Sequence, residues 1–68
     1  MIDTNALRGA IVSKGLTQQE VAIRIGISPK TFYKKMKKGV FGSDEMDIMI
    51  ELLSLENPSA IFFAKKVT

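Results

Sequence analysis

Sixty-eight residues with neither cysteine nor histidine exclude a disulfide framework, a thiolate metal site and the commonest metal ligand and general base. A chain this short builds one small domain with no room to enclose a large substrate, so no metal, cofactor or small-molecule substrate is expected. The net charge of +3 is modest, and where the charges lie says more than their sum.

In chain order, Asp3 or Thr4 is placed to cap a first helix over about residues 4–14. Its apolar Leu7, Ala10 and Ile11 recur at i, i+3 and i+4, and Gly15 suits the left-handed residue that ends it. Thr17 and Glu20 have the spacing of a capping box, starting a second helix from Gln18 to Ile25 with Val21, Ala22 and Ile25 as its buried stripe. Gly26 stops that helix. After the turn "GIS", Ser28 is an N-cap and Pro29 a favoured first helical residue, which predicts a third helix over 29–38 closed by Gly39.

Beyond the loop "GVFG", Ser43 is expected to cap a fourth helix with Met46, Met49, Ile50 and Leu53 on one face, widened by Ile48 and Leu52. Asn57 followed by Pro58 repeats the cap-and-proline signal for a fifth helix over about 58–64, and the tail "KKVT" is expected to fray. The sequence thus predicts an all-α fold, a compact bundle of five short helices in a single domain over 1–68. Such helices are marginal alone and depend on packing between their apolar stripes.

The segment Ser28–Gly39 holds Lys30, Lys34, Lys35, Lys37 and Lys38 and no acid, whereas Asp44–Glu56 holds five acids and no base. Two helices joined by a glycine-containing turn of about three residues form the arrangement of a helix-turn-helix, whose second helix enters the major groove of DNA. At about 100° per residue, Phe32 and Met36 define the core side of the third helix. Lys30, Lys34 and Lys37 fall opposite, with Tyr33 on the flank, either to meet DNA or to pack at the seam between the second and third helices. The competing explanation is that lysines in a last turn complement the helix dipole, which accounts for Lys35, Lys37 and Lys38 but not for Lys30 in the first turn.

The stretch "LTQQEVAIRIGISPKTFYKKMKKG", about a third of the chain, resembles the helix-turn-helix of the phage Cro/CI (XRE-like) repressor family. Leu16, Thr17, Gln18, Glu20, Val21, Ala22, Gly26, Ile27 and Ser28 stand where that pattern places their types. The start "LRGAIVSKG" and the end "IFFA" are similar to those of small Cro-like proteins and repression modulators. The resemblance implies a lambda repressor-like DNA-binding domain, probing double-stranded operator DNA from the bacterial cytoplasm at the nucleoid. It implies a phosphate contact at Gln18 and base-reading positions at Pro29, Lys30, Thr31 and Lys34, with Ser28, Tyr33 and Lys37 completing the expected DNA-binding set.

Two departures stand out: Pro29 lies where many relatives carry a reader such as glutamine, and Met36 follows Phe32 by four residues rather than three. The first makes that contact apolar or removes it, and the second implies a third helix rotated or one residue longer.

Asp44, Asp47 and Glu51 are read as a solvated outer face rather than an acid–base or metal site, and no nucleophile–base pair can be assembled, so the chain is not expected to be an enzyme. The apolar runs "IMI" and "IFFA" are far shorter than the roughly 20 residues of a membrane span. Ile61, Phe62 and Phe63 cannot all face inward from one short helix. Either they close the core, or they leave an apolar face for a homodimer or for a phage repressor as partner. The second option motivates an alternative function, a modulator or antirepressor that binds a repressor instead of DNA.

Overall fold

Local chemistry at the helix ends explains most of the chain's path. In the computed structural model, which describes residues 2–63, five helices follow one another: α1 (Thr4–Ser13), α2 (Gln18–Ile25), α3 (Pro29–Lys38), α4 (Ser43–Leu52) and α5 (Pro58–Phe62). No strand occurs among the described residues, so the fold is all-α. Asp3 caps α1 by accepting the Ala6 N–H at 3.0 Å. The capping box of α2 is complete: Glu20 N–H donates to Thr17 Oγ1 at 3.1 Å and Thr17 N–H donates to Glu20 Oε1 at 3.0 Å. Each box member removes one orphan donor that water would otherwise have to satisfy.

Gly26 and Gly39 stand immediately before and after the segment containing α3, at φ 86° and 71°. An L side chain at either site would be strained, so both helices stop where a glycine permits the left-handed turn.

Two starts differ from the sequence expectation. The residue before α4 is Gly42, and Ser43 is already helical. The cause is Glu45, which reaches back to accept the Gly42 N–H at 2.8 Å, making the glutamate rather than a serine hydroxyl the group that closes this end. Asn57 precedes α5 but makes no capping bond to its backbone; its Oδ1 instead accepts from the Ser59 hydroxyl at 3.0 Å. α5 ends at Phe62 with Phe63 already outside the helix, so it is shorter than the expected 58–64; residue 64 and the tail 65–68 lie outside the described residues.

One cluster of buried side chains holds the helices together: Leu7 and Ile11 from α1, Val21, Ala22 and Ile25 from α2, Phe32 and Met36 from α3, Met49 from α4, and Leu53 at its end. α2 is the central element, packing on α1, α3 and α4, while α1 also meets α5. Ala22 is fully buried, and its small side chain allows the close approach that this position requires. Three further residues complete the core, the first two unanticipated and the third among those expected to close it. Ile2 lies ahead of the first cap, Phe41 comes from the α3–α4 loop with its ring 5.3 Å from that of Phe32, and Phe62 comes from α5.

The backbone closes on itself as well, since Asp3 N–H donates to the Ile61 carbonyl at 2.7 Å. Ile48 corrects the sequence reading in the other direction. It is 41% exposed and does not pack on the core, whereas Met46, Ile50 and Leu52 lie half-buried against it beside the buried Met49 and Leu53, as their spacing predicted.

Candidate nucleic-acid interface

α3 is built to show one side to the body of the protein and the other to solvent. Ser28 Oγ accepts the Thr31 N–H at 3.2 Å and donates to Thr31 Oγ1 at 2.9 Å, fixing the first turn. Pro29 supplies the first helical residue without an N–H to satisfy and is half-buried. Phe32 and Met36 then sink into the core. Their four-residue spacing is carried by a regular helix that runs to Lys38, so the departure from three costs the packing nothing visible.

On the other side Lys30, Thr31, Lys34, Lys37 and Lys38 are all exposed. Tyr33 is half-exposed and meets Phe32 edge-on, with ring centroids 6.4 Å apart and planes at 80°. The ring thus touches a core residue of its own helix while about half of it stays open to solvent. Gln18, the first residue of α2, is half-buried, and Ser28 is exposed at the start of α3.

Lys35 breaks with its neighbours. Its Nζ donates to both carboxylate oxygens of Glu45 at 2.7 Å, the one ion pair among the described residues. This is a specific partner, where the sequence offered only the helix dipole. Burial pushes the Glu45 carboxyl up, but the hydrogen bonds from Lys35 and from Gly42 N–H, with the lysine's charge, outweigh it and hold the group below its ordinary value.

The cationic side of α3 therefore consists of Lys30, Lys34, Lys37 and Lys38, none paired with a carboxylate among the described residues. Lys30 sits in the first turn, where the helix dipole disfavours a cation. A stripe of this kind can neutralise phosphates, and a lysine ammonium can donate to guanine O6 or N7.

The other candidate residues separate. Phe62 is buried, Ile61 is half-buried, and Phe63 is 67% exposed. Phe63 borders an apolar groove of about 210 Å3 with Ile2, Val40, Phe41, Met46 and Phe62. Asp44, Asp47 and Glu51 are exposed, and no group of three potential metal ligands comes together among the described residues. No helix among them is long and apolar enough to cross a membrane.

Sequence reasoning missed the Lys35–Glu45 pair, whose partners are ten residues apart on different helices. It also missed exposed Val40 beside the groove. A glutamate at the third position of a helix that follows a lysine-rich one was the available signal for the first; nothing local marks the second. No protein-family model, curated protein or solved structure matches the chain.

Proposed function

We propose that this chain is a non-enzymatic, sequence-specific DNA-binding regulator of the Cro/CI type, phage or prophage encoded, acting in the bacterial cytoplasm by occupying operator DNA. In this reading α2 and α3 are a helix-turn-helix, and α3 lies in the major groove. The observation that carries it is the division of α3 into a core side, Phe32 and Met36, and an open side whose lysines have no carboxylate partner among the described residues.

Lys30, Thr31 and Lys34 are assigned to base edges and Lys37 to phosphate. Gln18 and the start of α3 at Ser28 and Pro29 take positioning roles, and Tyr33 is assigned to the flank of the groove. Two copies on half-sites about one helical turn apart would read a palindrome. Footprinting of the purified protein on the DNA adjoining its own gene, with its mass measured in solution, tests this. A protected site supports the reading; purified, folded protein that protects none of that DNA and binds no duplex at low salt counts against it.

A second reading is favoured by one separate observation, the groove edged by exposed Phe63 and Val40. There the chain would be a modulator that captures a repressor through this apolar rim. Phe63→Ala is the informative change, because Phe62 is buried and its loss would disturb the core. Loss of repressor capture in a protein that binds no DNA would favour this reading over the first.

A further inference from the structure

Three ties converge on one carboxylate. Glu45 belongs to the first turn of α4, takes the Lys35 ammonium of α3 on both oxygens at 2.7 Å, and accepts the Gly42 N–H of the intervening loop at 2.8 Å. Inside the same loop, Phe41 rests on Phe32. The exit of α3 is thus pinned from the core by an aromatic pair and from the outside by an ion pair.

For closing the loop alone a glutamine would serve, since its amide oxygen accepts an N–H equally well. What the carboxylate adds is capture of an ammonium. Lys35 is adjacent to Lys34 and about 100° from it around the helix. A pull on Lys35 toward α4 therefore opposes any rotation of α3 that would carry Lys34 and Lys37 away from a groove. The same pull keeps Lys35 from phosphates, which is an unexpected arrangement if charge attraction were the only quantity of use.

Building on the DNA reading above, we infer that Glu45 is a positioning residue of the interface. It fixes the rotation of α3 and withholds Lys35 from the phosphate backbone, so that discrimination between DNA sequences rises while total attraction to DNA falls.

The test compares wild type, Glu45→Gln, Lys35→Met and the double variant, each checked for folding by circular dichroism. Binding is measured by fluorescence anisotropy on a duplex selected by the wild type from a random library and on its scrambled counterpart, over a range of salt. Both single changes remove the ion pair, but only Glu45→Gln frees an ammonium. In Glu45→Gln the slope of log K against log salt should steepen by about 0.9, the effect of one added phosphate contact, and the scrambled duplex should bind several-fold tighter.

Lys35→Met and the double variant should keep the wild-type slope. In all three the preference for the selected duplex should fall, by about tenfold, equivalent to one poorly read base pair. Wild-type slope and preference in folded Glu45→Gln overturn the proposal and leave the DNA reading intact, as does an equal slope change in Lys35→Met. Wild type that binds neither duplex overturns both. A library that yields no preferred sequence for wild type overturns both the proposal and the sequence-specific reading beneath it.

Discussion

Replacing Lys34 with glutamine should lower the salt dependence of DNA binding by a defined amount, while the same change at its neighbour Lys35 should not. α3 presents four cations free of carboxylate partners among the described residues, Lys30, Lys34, Lys37 and Lys38, and a fifth, Lys35, already engaged by Glu45. If each free lysine, whether its ammonium ends on a base edge or on a phosphate, brings one charge into the duplex and releases the counterion of one phosphate, log K falls with log salt at a slope near −3.6, so a fourfold rise in salt weakens binding about 150-fold. Lys34→Gln leaves three, a slope near −2.7 and a loss of about 40-fold over the same range. Stability should change by less than about 0.5 kcal/mol, since the Lys34 side chain is exposed and makes no hydrogen bond or ion pair among the described residues.

The assay is anisotropy of a labelled duplex titrated at several salt concentrations, with urea melts run alongside. Equal slopes for Lys34→Gln and Lys35→Gln would refute the reasoning, because they would mean that the ion pair does not divide the lysines. A slope unchanged in Lys34→Gln would remove that residue from the interface.

Phe32→Ala should cost about 3–5 kcal/mol, from a fully buried ring that also supports Phe41. In a domain this small that approaches the whole net stability, and circular dichroism at 25 °C should show a largely unfolded chain. Ser28→Ala removes the cap of α3 and should destabilise by about 1 kcal/mol in urea melts, with DNA affinity falling as the first turn of that helix loosens. The folded-state pKa of Glu45 lies below its ordinary value of about 4.5, so its contribution is fully present above that value and is lost as pH falls through the folded one. Wild type minus Glu45→Gln stability should therefore shrink as pH falls from about 6 to about 3 in denaturant melts, by no more than the roughly 0.2–1 kcal/mol of a solvent-accessible ion pair. A difference that stays constant with pH would show that the carboxylate's charge is immaterial.

The residues that could be read in sequence are those whose partners lie within one helical turn. Asp3, the Thr17–Glu20 box, Ser28 with Pro29, and the glycines at 15, 26 and 39 act through bonds or backbone angles settled by their immediate neighbours, and the helices they delimit were legible for that reason. The core side of α3 followed from helical spacing in the same way.

Phe41, Ile2 and the Lys35–Glu45 pair were not legible. Each depends on how one element docks on another: Phe41 is a loop residue between glycines, Ile2 precedes any helix, and Glu45 finds its lysine only because the first turn of α4 lies beside the last turn of α3. Ile48 shows the converse. Spacing alone made it a neighbour of the buried seam, but the width of that seam is set by what α4 packs against. For the candidate interface, the open face of α3 was legible, and the subtraction of one lysine from it was not.

The bond from Asp3 N–H to the Ile61 carbonyl, with Ile2 and Phe62 buried, joins positions separated by nearly the whole length of the chain. Closing so long a loop carries a larger entropic cost than forming the neighbouring α2–α3 pair, so this latch should be made late in folding. By the same reasoning it should be among the first places to let go in the native state. Hydrogen exchange at the Asp3 amide should accordingly run ahead of that at Val21 and Phe32, giving a molecule whose seam unzips from its margins while its centre stays shut.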